Sequence, residues 1–426
     1  MTDNQQQFLA VAEAVAAQLA DPAIASALAA GRTWWPHHLA HGAPGIVLLH
    51  AELAAAGTAP WSRVQHWLAY AAGHTVTSGA DSHLNYGAPA LAVAMATVAE
   101  QIPGAYQTSL NVLDATIADD TLRRVAVITG RLEPGQRPLL ADFDVVRGVT
   151  GVGGYLLRRR PGDPAVTAVL SYLVRLTRPV IHRGQRVPGW WTPVSPHGDR
   201  DDRYPGGHAN LGVAHGIAGP LTLLALATRA GVTVPGQSEA IATICAWLDQ
   251  WRTGTDTTPT WPYWITWDEH RAGRPSEPAH PRRPSWCYGT AGLARAQQLA
   301  ALALHDPGRQ HASEQALLFA LTDPGHRAAV TDASLCHGWA GMAHIAARAA
   351  TDATPATAAA LRDTAARLLD VVHQPGTDPR DTAAALLAPD GGGPGLLDGA
   401  AGTALASLTA AGLTPRTRWD ACLLIT

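Results

Sequence analysis

The 426-residue sequence contains no lysine. All 31 basic residues are arginine, set against 34 acidic ones. The resulting net charge of -3 excludes a polybasic nucleic-acid binder. Charge is scarce altogether, at 15% of residues against 47% hydrophobic, which excludes a disordered chain and leaves a large core to bury. No apolar run reaches the roughly 18–20 residues that span a bilayer. The opening stretch, MTDNQQQFLAVAEAVAAQLAD, has no basic n-region and carries acids among its apolar residues, so it reads as an amphipathic helix rather than a signal peptide. Cysteine is also scarce. Cys245, Cys287, Cys336 and Cys422 make no disulfide scaffold and suit a cytoplasmic setting, where sparse cysteines pack, bind metal or react. Phenylalanine occurs 3 times against 14 tryptophans, while glycine is plentiful at 41.

The glycines are ordered. Gly-x-x-Gly followed by an apolar run recurs at Gly42, Gly148, Gly216, Gly289, Gly338 and Gly399, with a degenerate copy at Gly87 where Ala90 replaces the second glycine. The first glycines lie 45 to 73 residues apart, room for two helices and their loops. Between the turns run amphipathic helices. In DPAVTAVLSYLVRL, Asp163 is the expected cap and Val166, Val169, Leu170, Leu173 and Val174 form one stripe. Ser238 is the expected cap of a second, with Ile241, Ile244, Cys245, Leu248 and Trp251 inside; Leu361, Leu368, Leu369 and Val372 mark a third. Segments just after each Gly-x-x-Gly are small and apolar nearly all round, as in helices buried on most sides, and glycine there permits close approach and unusual backbone angles. The alternation predicts an all-α fold, a closed α/α toroid of seven inner and seven outer helices in one domain over residues 1–426. Two Pro/Gly/Trp-rich insertions, near 180–210 and 253–285, break the pattern as loops or small hairpins.

If each turn opens an inner helix, the residues before it face one central opening. The position just before the first glycine reads His41, Tyr86, Arg147, His215, Tyr288, His337 and Asp398. One step earlier, Cys287 and Cys336 share a slot in neighbouring repeats. Packed helices sit about 8–10 Å apart, so two such thiols can lean toward one ion, with His337 as a third ligand. Two thiolates and an imidazole suit Zn²⁺, and three ligands with an open fourth position describe a catalytic zinc. Absence of CxxC excludes a zinc finger. Cys245 lies on a buried stripe and is expected only to pack.

SWCYGTAGLARA and SLCHGWAGMAHI closely resemble the paired zinc motifs of the lanthionine synthetase C family, the LanC-type lantibiotic cyclases. The resemblance extends to PGWW, RYPGGHANLGVAHGIAGPLTLLALA and DVVRGVTGVGGYLL, and covers nearly the whole chain. It implies an α/α toroid, Zn²⁺, and Michael-type addition of peptide cysteine thiols to dehydroalanine or dehydrobutyrine. It also implies Cys287, Cys336 and His337 as metal ligands, with His215, Asp144 and Arg283 beside the reaction. His215, with an ordinary pKa of about 6.5, suits protonation of the enolate carbon. Asp144 either orients His215 or takes the thiol proton, and Arg283 would stabilise enolate charge.

The partners implied are a dehydrated precursor peptide (leader plus core), a separate dehydratase and a transporter, in a cytoplasmic complex held peripherally at the membrane. The length, filled by the toroid, reads as a stand-alone cyclase. Trp190 and Trp264 in the insertions are expected to form part of the leader-binding surface. Three rivals exist. A prenyltransferase-like toroid would want an Asp-Cys-His ligand set, and an α/α glycosidase would use Asp144 and Asp398 while leaving the thiols idle. A non-enzymatic zinc protein would hold a thiol ligand or peptide without cyclising it.

Overall fold

Each glycine turn is built around backbone approaches that leave no room for a side chain. In the computed structural model, residues 3–29, 34–132, 136–278, 280, 282–374, 376–388, 390–412 and 415–426 are described. A Cβ on the second glycine would stand 2.2 Å from the Leu39 carbonyl oxygen at Gly45, 2.2 Å from that of Trp286 at Gly292, 2.0 Å from that of Leu335 at Gly341 and 1.8 Å from that of Leu396 at Gly402. The carbonyl is always the one six residues earlier. At Gly148, Gly216, Gly289, Gly338 and Gly399 the obstacle is the amide nitrogen four residues earlier, 2.0–2.4 Å away. Space, rather than a left-handed backbone, demands glycine here; Gly87, with φ 76°, is the one first glycine that also needs the left-handed region.

Seven helices follow the turns: Ala43–Ala55, Ala88–Ala99, Val149–Arg159, Ala218–Arg229, Thr290–Leu304, Trp339–Asp352 and Ala400–Ala410. They are buried on most sides; Ala43 to Ala54 is buried without a break. Each lacks a charged stripe, so it needs apolar neighbours all round. The helices that cover them are one-sided. Trp61–Ala72 buries Val64, Trp67, Leu68 and Ala71, a 3.6-residue stripe. In Pro164–Leu176 the Asp163 carboxylate accepts from the Ala165 amide, as its sequence predicts, and Val166, Val169, Leu170 and Leu173 are buried. Ser238 is not a cap. Gln237 accepts the Val234 amide and donates to Leu224, and the helix Gln237–Gln250 starts two residues sooner, after Gly236.

The chain divides into two compact units, Met1–Leu113 with Val330–Ala421, and Asp114–Ala329 with Cys422–Thr426. In the first, main-chain hydrogen bonds run from turn to turn: Cys336 N–H to Leu397, Leu396 N–H to Ala40, and Leu39 N–H to Asn85. The sixth, seventh, first and second turns are therefore neighbours in that order, so the last repeat is stitched directly to the first. Among the described residues no α-helix follows Ala400–Ala410 to cover it, only the short 3-10 turn Trp419–Leu423. The N-terminal helix Asp3–Gln18 does so instead, burying Phe8, Val11, Ala12, Val15 and Ala16. In the second unit Val145 N–H donates to Ala214, and Ala214 N–H to Cys287, ordering the third, fourth and fifth turns.

The two insertions are small hairpins and ribbons. Val180–His182 pairs antiparallel with Gln185–Val187, and His208–Asn210 pairs antiparallel with Trp264–Thr266. Residues 279 and 281 of the second insertion lie outside those described. Their tryptophans are not a surface. Trp190 and Trp191 are 1% and 0% exposed, and Trp261 and Trp267 are buried too. Trp190 meets Trp247 edge-on with centroids 5.2 Å apart, while Trp264 is half-buried. The expected leader-binding role of Trp190 is thus corrected: its ring fills core that the three phenylalanines cannot. Cys245 is buried as expected, its thiol pushed up to about 11 by desolvation. Among the described residues no single helix is long and apolar enough to cross a membrane.

Gly402→Ala is expected to destabilise by about 1–3 kcal/mol, because its Cβ meets a carbonyl that cannot give way. Gly162→Ala, with nothing within 4 Å, should leave the melting temperature unchanged. Trp190→Ala should cost about 3–5 kcal/mol in denaturant unfolding, the signature of a core ring.

Candidate active site

The residue four before the first glycine does the same work in several turns. Its side chain accepts the amide of the residue just before the glycine. His38 Nδ1 accepts from His41 at 3.2 Å, Asp144 Oδ1 from Arg147 at 2.6 Å, Ser285 Oγ from Tyr288 at 3.3 Å and Ser334 Oγ from His337 at 3.2 Å. These contacts hold each turn tight and present the residue before the glycine in a defined direction.

In the second unit the Asp144 carboxylate also accepts from Gly148 N–H at 2.6 Å, so one oxygen holds two successive amides of the turn that leads into the helix. The other oxygen lies 2.6 Å from His215 Nδ1. An ionised acceptor there fixes the proton on Nδ1 and leaves Nε2 for chemistry. Asp144 is essentially buried, whereas the His215 side chain is 33% exposed. Burial lowers the His215 pKa, but the hydrogen bond and charge of Asp144 outweigh it, with a smaller push from Cys287, and the pKa ends above the ordinary 6.5. Tyr288 packs on His215 with centroids 6.1 Å apart, and Tyr263 and Trp264 pack on Tyr288. The Tyr263 hydroxyl accepts the Arg283 N–H at 2.9 Å and donates to the Arg283 carbonyl at 3.3 Å, which pins that segment beside the ring cluster. Cys287 is buried, its thiol donating to Ser285 Oγ at 3.4 Å.

In the first unit Cys336 is half-buried, and its amide is tied to Leu397. His337 lies between two carboxylates. Asp332 is 3.2 Å from Nε2, and Asp398 is 3.9 Å from Nδ1. Burial would raise the Asp332 carboxyl, but hydrogen bonds from His337 and Ser334 hold it well below the usual range. A carboxylate on one imidazole nitrogen is the outer partner that metal-ligating histidines commonly have. Cys287, Cys336 and His337 make a donor group that could hold a metal ion. Its composition fits a borderline-soft divalent ion.

Of the six residues singled out in the sequence, Asp144 and His215 are in direct contact, and Arg283 and Cys287 belong to the same unit. Cys336 and His337 belong to the other. Ser285, Ser334, Asp332 and Tyr263 were missed, and Tyr288 stood in the register before Gly289 without a role. For the two serines a signal existed. They occupy the slot of Asp144, four before the glycine, and aligning the turns on that position would have found them. Asp332, six before Gly338, shares its slot with Asp81 before Gly87 and Asp142 before Gly148, so position alone did not single it out.

The family model for lanthionine synthetase C-like protein matches residues 33–424. The chain is 24% identical over 312 residues to the nisin biosynthesis protein NisC of Lactococcus lactis subsp. lactis, covering 72% of each chain. Its fold resembles the solved structure of nisin cyclase with a TM-score of 0.76 at 21% identity, over 92% of this chain and 93% of that one. This likeness bears out the fold class expected from the sequence, an all-α toroid.

A histidine whose pKa is raised by folding stabilises the fold fully below its unfolded pKa, and that contribution fades as pH rises through the folded value. For His215 the window opens above pH ~6.5. In Asp144→Asn the burial remains and the opposing carboxylate is gone. The His215 titration followed by NMR should then move from above 6.5 to below it. An unmoved midpoint would show that Asp144 does not control this imidazole.

Proposed function

Because the chain belongs to the lanthionine synthetase C-like family, we propose that it is a zinc-dependent lanthionine synthetase acting on a dehydrated, cysteine-containing precursor peptide. The observation that carries this reading is the Asp144–His215 pair at 2.6 Å. A protein that only held a thiol would need the ligands but not an imidazole oriented and kept protonatable beside them.

Cys287, Cys336 and His337 would hold the metal, with Asp332 on the far nitrogen of the His337 ring. Bound there, Zn²⁺ would supply a nucleophilic thiolate at neutral pH from a thiol whose ordinary pKa is about 8.5. The chain's own groups handle the rest. Attack of sulfur on the β-carbon of dehydroalanine or dehydrobutyrine leaves an enolate, whose α-carbon needs a proton. His215, raised in pKa and held by Asp144 through Nδ1, delivers it from Nε2. Arg283, its main chain fixed by Tyr263, would stabilise the developing negative charge. A dehydratase has to act first, since dehydro residues are made from serine and threonine after translation. We place the enzyme in the cytoplasm, as one cyclase domain working beside that dehydratase and a transporter, peripherally at the membrane.

Metal analysis of the purified protein should find about one zinc per chain, lost in Cys336→Ala. With a dehydrated precursor, cyclisation adds no mass, so protection of cysteine thiols from alkylation in mass spectrometry is the readout. His215→Asn should slow that protection by roughly 100-fold or more while retaining zinc. Unprotected thiols with a zinc-loaded wild type and a cognate peptide would favour a binding protein instead.

A further inference from the structure

The first unit holds a second imidazole–carboxylate pair. His41, just before Gly42, places Nε2 4.0 Å from Asp398 Oδ2. Asp398, just before Gly399, turns its other oxygen toward His337, 3.9 Å from Nδ1. The opposite side of the His337 ring is engaged by Asp332 at 3.2 Å from Nε2. An imidazole has only two nitrogens, so a metal held by His337 would take Nδ1, the one that Asp398 faces. Asp398 and His41 therefore border the metal side of His337, not its rear.

His41 is also arranged to be the imidazole that takes up a proton. Its neighbour His38 packs against it with centroids 5.0 Å apart, but His38 Nδ1 already accepts the amides of Ala40 and His41 at 3.1 and 3.2 Å. A nitrogen accepting two N–H groups has no lone pair left to offer an incoming proton. Trp35, Tyr86 and His83 pack on His38, and His337 lies across Asp398. The side chains of His41 and Asp398 are 36% and 40% exposed, open to a peptide, where Asp144 at 2% is not.

We propose that His41, supported by Asp398, is the proton acceptor for the incoming peptide thiol, a task separate from the carbon protonation by His215. This rests on the cyclase reading above. The S–H bond of the peptide cysteine breaks, the proton passes to Nε2 of neutral His41, and sulfur keeps the electron pair with which it attacks the β-carbon. The Asp398 carboxylate balances the imidazolium, which then releases its proton to water, while His215 is reprotonated from water for the next turnover.

The test compares His41→Gln and Asp398→Asn with wild type, using the zinc-loaded enzyme and a dehydrated, cysteine-containing peptide. His41→Gln should lower kcat about 100-fold with KM little changed, and flatten the acidic limb of the pH–rate profile. Zinc content and melting temperature should hold. Asp398→Asn should shift that limb to lower pH, because removing the carboxylate disfavours imidazolium. NMR titration of the metal-free wild type should show His41 titrating between about pH 5 and 8, and Asp398→Asn should lower its midpoint. A kcat within about twofold of wild type in His41→Gln, an effect on KM alone, loss of zinc, or a His41 that does not titrate in the wild type would each overturn the inference. Wild type that leaves the thiols unprotected overturns the cyclase reading itself. Wild type that protects them beside a fully active His41→Gln overturns only this step.

Discussion

The structure depends on main chain packing directly against main chain at the glycine turns. Gly45, Gly292, Gly341 and Gly402 each lie against the carbonyl six residues back, closer than any Cβ would allow. That closeness lets one turn hydrogen-bond to the next through the residues two and three before the first glycine, as Leu396 does to Ala40 and Ala214 to Cys287. Polar backbone at the mouth of an apolar helix has to find partners, and here it finds them in the neighbouring turn. The small, uncharged helices behind the turns can then be buried on most sides without exposing their ends.

The same geometry carries the chemistry. A residue held just before the glycine is presented by a rigid loop, and the residue four before it sets its direction. Asp144 shows how much one side chain can combine: one oxygen takes two amides of its turn, while the other orients His215 and keeps it protonatable despite burial. Ser285 and Ser334 do the lesser version of this at Tyr288 and His337, beside the cysteines of the donor group. His38 does it at His41 with a ring nitrogen. A repeated structural device has thus been given different side chains, and the differences are where the titratable groups and metal donors stand.

The tryptophans illustrate a limit of reading composition. Five of them fall in two insertions rich in proline and glycine, a pattern that suggests exposed recognition loops. Four are instead buried: Trp191 and Trp267 meet edge to face, Trp190 meets Trp247 of the neighbouring helix edge-on, and Trp261 donates its indole N–H to the Leu248 carbonyl. With only 3 phenylalanines in 426 residues, large apolar volume has to come from indole rings. An aromatic side chain reports its own size, not which side of a loop it faces.

What could be read without coordinates was whatever is periodic. The spacing of the glycine turns, the alternation of one-sided and wholly apolar helices, and the shared register of Cys287 and Cys336 are properties of order along the chain. They predicted the fold class and the ligand candidates. His215 stood in the register before Gly216, but its role and its Asp144 partner were legible only through the resemblance, since 71 residues separate the two and nothing local links a carboxylate to that particular imidazole. Tertiary structure alone decided which distant groups meet. It gave the last inner helix its cover from Asp3–Gln18, put Asp332 and Asp398 on either side of His337, and buried Trp190. Periodicity is a local property of the chain; these contacts depend on loop paths and side-chain directions set only once the repeats pack together.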